Sequence, residues 1–212
     1  MHFIHPPAIF RLFNKKYLVT GLNQDRKVIF LTFDDGPTPE VTPSVLNILR
    51  QKEVKATFFL VGKNVKEHTE IFRMIVDQGH SVGNHTFDHL NGWKTSAGKY
   101  AENVLRCNEY LRTTLFRPPY GRFTPSQYFL IRKSFRFILW SVLSGDFRKE
   151  ITPDQCLQNV LKYTTSGSIV VFHDSIKAKD KVLYALPRFI DEFREKGFEF
   201  HGIEMPENGT PG

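Results

Sequence analysis

Cysteine is almost missing from this chain: its 212 residues include only Cys107 and Cys156. Two thiols cannot make a disulfide framework, and neither has the spacing of a zinc knuckle; both fall in helical apolar patterns and read as buried small hydrophobes. Long apolar runs are also lacking. Residues 1–22 hold Pro6, Pro7, Arg11, Lys15 and Lys16, which interrupt each apolar piece before it reaches the length of a signal-peptide core or a membrane span. No transmembrane segment is therefore expected, and a cytoplasmic address is the default. Removal of a leader would give the same pattern and would allow action at the cell envelope. No linker, repeat or low-complexity segment stands out, which leaves one domain. Dense blocks of one charge are absent too. The net charge of +7 and pI near 9.4 come from Lys and Arg spread along the chain, which suits a solvated basic surface, remains compatible with an anionic polymer such as cell-wall glycan, and gives no reason to expect a nucleic-acid partner. The sequence sets no oligomeric state.

What is present is enough apolar material for one sizeable core: 41% hydrophobic and 14% aromatic residues. Strand-length apolar runs recur at 28–33, 56–61, 80–83, 115–117, 135–140, 168–172 and 198–203, with helical patterns between them. Thr42-Pro43, Thr124-Pro125 and Thr152-Pro153 each place a hydroxyl before a proline suited to the first helical position. Gly79 and Gly197 mark two helix ends. Apolar residues at helical spacing over 65–78 and 181–196 predict two further helices. About seven strands alternating with about six helices argue for a parallel α/β barrel or open sheet.

Polar residues then cluster where such strands end. Asp34 and Asp35 close the first strand, His85 and His89 follow the third, Arg117 the fourth, Asp146 the fifth and His173 the sixth. The carboxyl edge of a parallel sheet is where loops from several strands converge, so five polar features there predict one site. Taken singly each has a plainer reading. Asp34-Asp35-Gly36-Pro37 could be turn chemistry, and it lacks the alternating acids of an EF-hand. His85 and His89 could be surface histidines, and no Glu follows the first as in a zinc-protease helix. The Pro118-Pro119 pair could simply stiffen a loop, while Asp174-Ser175 could be a cap. Together, one carboxylate and two imidazoles make a donor set that Zn²⁺ accepts, with an open position for water. Arg117 could pair with Asp34, the Tyr120 N–H could face a developing oxyanion, and His173 could donate a proton to a leaving amine.

Thr32–Pro37, His85-Thr86-Phe87-Asp88-His89, Arg117-Pro118-Pro119-Tyr120-Gly121 and Val171-Phe172-His173 occur in the order of the motifs of the carbohydrate esterase family 4 polysaccharide deacetylases, the NodB-homology family, which this chain resembles. The resemblance implies a distorted (β/α)₇ barrel over residues 27–203, preceded by an extension, 1–26, packed on the barrel and followed by a tail, 204–212. It implies Asp34 as general base and Arg117 as its orienting partner. Asp35, His85 and His89 become ligands of a divalent metal, usually zinc, with Co²⁺, Ni²⁺ or Mn²⁺ as alternatives. His173 becomes the general acid, tuned by Asp146, and the expected substrate is an N-acetylated glycan. The fourth motif departs from the family pattern: Leu143 stands for an Asp and Phe147 for a Trp, while Asp146 is kept. Pro118, Phe147 and Val171 are the expected substrate-facing residues, the last two as an apolar wall around the acetyl methyl. Two other functions stay compatible with the same residues, a hydrolase of small non-sugar amides and a carbohydrate-binding protein with little turnover.

Overall fold

A computed structural model describes residues 18–22 and 26–204. The expected extension is thus described only in part, and 1–17 with 205–212 lie outside the described residues. In chain order the elements are β1 (Leu18–Val19), β2 (Val28–Asp34), α1 (Thr42–Gln51), β3 (Thr57–Leu60), α2 (Gly62–Glu67), α3 (Thr69–Asp77), β4 (Ser81–Asn84), α4 (Ala97–Leu111), β5 (Leu115–Phe116), α5 (Pro125–Ile131), β6 (Arg136–Ile138), β7 (Val142–Leu143), α6 (Pro153–Tyr163), β8 (Ile169–His173), α7 (Lys179–Glu195) and β9 (Glu199–Phe200). The sheet runs β1-β6-β5-β4-β3-β2-β8-β7, with β9 added beside β2. Every strand pair in it is parallel. Helices cover such a sheet, so β2 is buried along its whole length and apolar but for Thr32 and the terminal Asp34.

The sheet curls into an open barrel. Its end strands β1 and β7 do not pair with each other among the described residues, and the chain itself crosses the gap. Leu139 N–H still donates to Val19 O at 2.7 Å beside β1, whereas Ser141 N–H donates to Ile169 O at 3.0 Å beside β8. This crossing shortens the expected strand 135–140: β6 ends at Ile138, and a separate two-residue strand, β7, follows on the far side. Asp146 consequently follows β7, not the strand expected before it. β1 and β7 are each two residues long, too short to register as apolar runs.

Two of the three Thr-Pro pairs cap their helices. Thr124 and Thr152 accept from the N–H of Gln127 and Gln155, whose side chains return the bond in complete capping boxes. Thr42 departs from expectation because it already lies inside α1; its hydroxyl accepts from Thr38 N at 2.7 Å and donates to the Asp174 carboxylate at 2.6 Å. The predicted helix over 65–78 is two helices, since His68 (φ −129°, ψ 54°) breaks the path between α2 and α3. α7 continues through Pro187.

The larger core cluster lies between the sheet and α1, α6 and α7, where Phe33 stacks on Phe58 with centroids 4.9 Å apart and Phe172 meets Phe189 edge-on at 6.2 Å. A second gathers Tyr100, Phe116 and Phe137 under α4 and α5. Each such ring, fully buried, stabilises the fold by roughly 1.5–3 kcal/mol. Cys107 and Cys156 are buried, and burial pushes the Cys107 thiol up to about 12, as expected of inert thiols. No helix among the described residues is long and apolar enough to cross a membrane.

Candidate active site

Strand register brings the site together. Asp34, the last residue of β2, lies level with His173, the last residue of β8. Arg117 follows β5 and is wholly buried, a placement that requires partners for its charge and donors. It has them. Nη1 donates to Asp34 Oδ1 at 2.7 Å and to Thr32 Oγ1 at 2.8 Å, Nε to Ile138 O at 3.0 Å and Nη2 to Leu139 O at 2.9 Å, while the guanidinium sits 4.0 Å from the Phe59 ring centre. The end of β6 and the crossing that follows it thus supply two of the four acceptors.

The same residue orients His85. The Arg117 carbonyl lies 2.7 Å from His85 Nδ1, and because a carbonyl only accepts, the proton must be on Nδ1 and the Nε2 lone pair is free. Burial, opposed by Asp34 and Asp35, lowers the His85 pKa to about 4, so the ring is neutral. Nε2 lies 3.7 Å from Asp35 Oδ1, His89 Nε2 lies 3.0 Å from the same oxygen, and the three donor atoms all fall within 4.8 Å of one another. For Asp35, burial works against ionisation, but the His89 hydrogen bond and the nearby imidazoles hold the carboxyl well below its usual range. An ionised carboxylate facing a free imidazole lone pair fits a divalent cation.

Four residues of this edge, Asp35 (φ 82°), Thr86 (φ 63°), His89 (φ 55°) and Tyr120 (φ 61°), have left-handed backbone. Such conformations cost on the order of 1–3 kcal/mol each and persist only where the surroundings enforce them. Around Asp35, Thr86 and His89 the backbone is tied down by polar side chains. Asn84 Oδ1 accepts from Thr86 N, Thr86 Oγ1 from Leu90 N, and Asn103 Oδ1 from both Phe87 N and Asp88 N. Asn64 donates to Asp35 O at 2.8 Å, and Lys177 Nζ approaches Asp35 Oδ2 at 3.4 Å. Their only sequence signal was proximity to the motifs or polarity within an apolar helix.

His173 is gripped by Asp146, with Nδ1 2.7 Å from Oδ1 and the main-chain N–H 2.6 Å from Oδ2. Burial alone would lower its pKa, but Asp146, Asp35 and Asp34 prevail and raise it to about 9. Phe147 packs edge-on against this imidazole at 5.0 Å. Leu143 and Val171 are register partners on β7 and β8, both buried, Val171 to 1% exposure. Pro118 is likewise buried. Asp174 is not a local cap: it accepts from Gly36 N at 3.0 Å and from Thr42, and its own N–H donates to Asp34 O at 3.2 Å. Burial raises its pKa to about 7. A cleft of about 390 Å³ opens above the donor cluster, lined by Asp35, Val61, Lys63, Asn64, Asp88, His89, Tyr120 and Lys177.

Residues 21–133 match the family described as polysaccharide deacetylase. A peptidoglycan-N-acetylglucosamine deacetylase of Bacillus cereus is 31% identical over 87% of this chain and 90% of its own length. A chitooligosaccharide deacetylase of Azorhizobium caulinodans is 33% identical over 77% of this chain and 81% of its own. Among solved structures, a peptidoglycan N-acetylglucosamine deacetylase in complex with a naphthalenyl N-oxidanyl-benzamide superposes with a TM-score of 0.84 at 30% identity, covering 92% of this chain and 94% of that one.

Proposed function

The chain belongs to the polysaccharide deacetylase family, and from that membership we propose that it hydrolyses the N-acetyl groups of N-acetylglucosamine-containing glycans, with acetate and a free amino sugar as products. The observation that carries this reading is the placing of a carboxylate, Asp34, and an imidazole, His173, at level positions on adjacent strands beside the Asp35–His85–His89 donor cluster.

Asp35, His85 and His89 are assigned as ligands of a divalent cation, of which zinc suits the donors best. When bound, that cation would act as a Lewis acid and ease deprotonation of water. Asp34 accepts the proton as water adds to the acetyl carbonyl, and Arg117 fixes the carboxylate in place. The Tyr120 N–H stabilises the negative oxygen that forms. The C–N bond then breaks as His173 Nε2–H delivers its proton to the leaving nitrogen. Asp146 holds Nδ1–H, so the donating face is always Nε2. Phe147 and Val171 bound the space for the acyl methyl, and Pro118 stiffens the loop that carries Tyr120. A peptidoglycan substrate would place this action at the cell envelope.

Acetate release by the zinc-reconstituted protein from N-acetylglucosamine oligomers, compared with a panel of small amides, tests the substrate class. Preference for the oligomers supports the proposal. Turnover of small amides alone would favour the non-sugar hydrolase, and saturable glycan binding without acetate would favour a binding protein.

A further inference from the structure

Beside the cleft, two large exposed side chains share one guanidinium neighbour. Trp93 is 67% exposed and Tyr120 54%, and the Arg122 guanidinium lies between them, 4.8 Å from the indole and 5.9 Å from the phenol ring centre. Tyr120 in turn meets His89 edge-on at 4.8 Å. A continuous row of Trp93, Arg122, Tyr120 and His89 therefore leads from open surface to a member of the donor cluster. Single exposed apolar residues are ordinary and call for no explanation. This one differs in how it is mounted.

Trp93 sits in the short 3₁₀ turn Gly92–Lys94, and the Asn91 side chain accepts its N–H at 3.1 Å. Gln127, fully buried, donates from Nε2 to both Gly92 O and Thr95 O at 2.9 Å. Gly92 is pressed so closely on the next loop that a Cβ there would lie 2.4 Å from the Arg122 carbonyl oxygen and 2.7 Å from Gln127 Oε1. The turn bearing the indole is thus locked to the loop bearing Arg122 and Tyr120. An indole left mostly in water adds little to the core, so this rigid display is not explained by burial.

We propose that Trp93 and Arg122, continued by Tyr120, form a stacking subsite for a sugar ring adjacent, in the same glycan, to the ring whose acetamido group is cleaved. The proposal rests on the glycan reading given above. A pyranose ring presents an apolar C–H face and a rim of hydroxyls; the aromatic faces take the first, and the guanidinium, a pure donor, takes the second. Trp93 and Arg122 would then be specificity-determining residues that favour longer substrates, with no part in bond cleavage.

With zinc-reconstituted protein, Trp93→Ala is expected to raise KM for the N-acetylglucosamine tetramer by about three- to tenfold. Its kcat should be unchanged, as should kcat/KM for the monomer. Trp93→Phe should retain most of the affinity. Because the chain has only two tryptophans and Trp140 packs on Gly121 behind the loop, tetramer binding should also alter the intrinsic fluorescence of the wild type clearly more than that of Trp93→Phe. An unchanged tetramer KM in Trp93→Ala, or an equal loss on the monomer, would overturn the subsite. If the wild type releases no acetate from any glycan, the deacetylase reading fails on its own. The fluorescence titration then still decides the platform, and a response identical in wild type and Trp93→Phe would overturn it.

Discussion

Asp146 holds His173 at two points, through the ring Nδ1 at 2.7 Å and the main-chain N–H at 2.6 Å. The first contact fixes the tautomer and supports the imidazolium, and the second fixes the end of β8 from which the ring projects. A single carboxylate thereby sets both the position of the proposed proton donor and its readiness to carry a proton.

The pH profile follows from that pair. The donor works only when protonated, so its contribution is complete at low pH and is lost as pH rises through the folded value of about 9. In the metal-loaded enzyme, where Asp35 shares its charge with the cation, the alkaline limb of kcat should lie between the ordinary 6.5 and about 9. Asp146→Asn removes the main influence opposing burial, so the limb should move to 6.5 or below. His173→Ala should slow turnover by roughly 10²–10⁴-fold. pH–rate profiles of folded, metal-loaded variants check both. An alkaline limb unmoved by Asp146→Asn would remove Asp146 from its tuning role.

Arg117→Ala should be among the most damaging single changes. It leaves Asp34 buried without its partner, while the main-chain carbonyl that holds His85 is retained, at a cost of about 3–5 kcal/mol for the broken buried pair. Arg117→Lys should rescue little, because one ammonium cannot reproduce the forked donation to Asp34, Thr32, Ile138 and Leu139. Denaturant unfolding of both variants checks this, and near-native stability of Arg117→Lys would contradict it.

Gly36→Ala tests the link between the two carboxylates and Asp174. A Cβ at Gly36 would lie 2.0 Å from Asp174 Oδ2, and Asp174 cannot swing aside without losing its 2.6 Å hydrogen bond from Thr42. A loss of about 1–3 kcal/mol from the overpacking is expected, together with weaker zinc retention. Thermal melts and metal titration would show it; wild-type values in both would mean that the turn relaxes freely.

Phe147 lies against His173, where a larger ring would narrow the space proposed for the acyl methyl. Phe147→Trp should therefore raise the kcat/KM ratio of N-acetyl over N-propionyl substrates, within the roughly 1–3 kcal/mol that one methylene can supply. An unchanged ratio would place the ring elsewhere than at the acyl group.

The parallel α/β architecture could be read from the sequence because long buried strands such as β2 leave apolar runs, and because Thr124 and Thr152 begin their helices by local hydrogen bonds. β1 and β7 could not, since two-residue strands depend on neighbours remote in sequence. Thr42 misled for the same reason: its hydroxyl is taken by Asp174, a partner 132 positions away. The residues gathered at the cleft were legible because Asp, His and Arg at successive strand ends are conspicuous. Their supports, Asn84 and Asn103, were not, because a buried amide announces itself only once the backbone groups it satisfies are in place. Trp93 is one aromatic among many in the sequence, and only the fold sets its exposure and its mount.

In the proposed reaction a divalent cation at Asp35, His85 and His89 works with Asp34 as base in cleaving N-acetyl groups from glycans. Bound metal and acetate release from an N-acetylglucosamine oligomer, measured side by side in wild type, Asp34→Asn and Asp35→Asn, test it most directly. One ion per chain with acetate release is expected in the wild type, one ion without turnover in Asp34→Asn, and loss of both in Asp35→Asn. Wild-type turnover that survives complete removal of metal, or an Asp34→Asn protein that loses its ion while Asp35→Asn keeps both ion and activity, would contradict it.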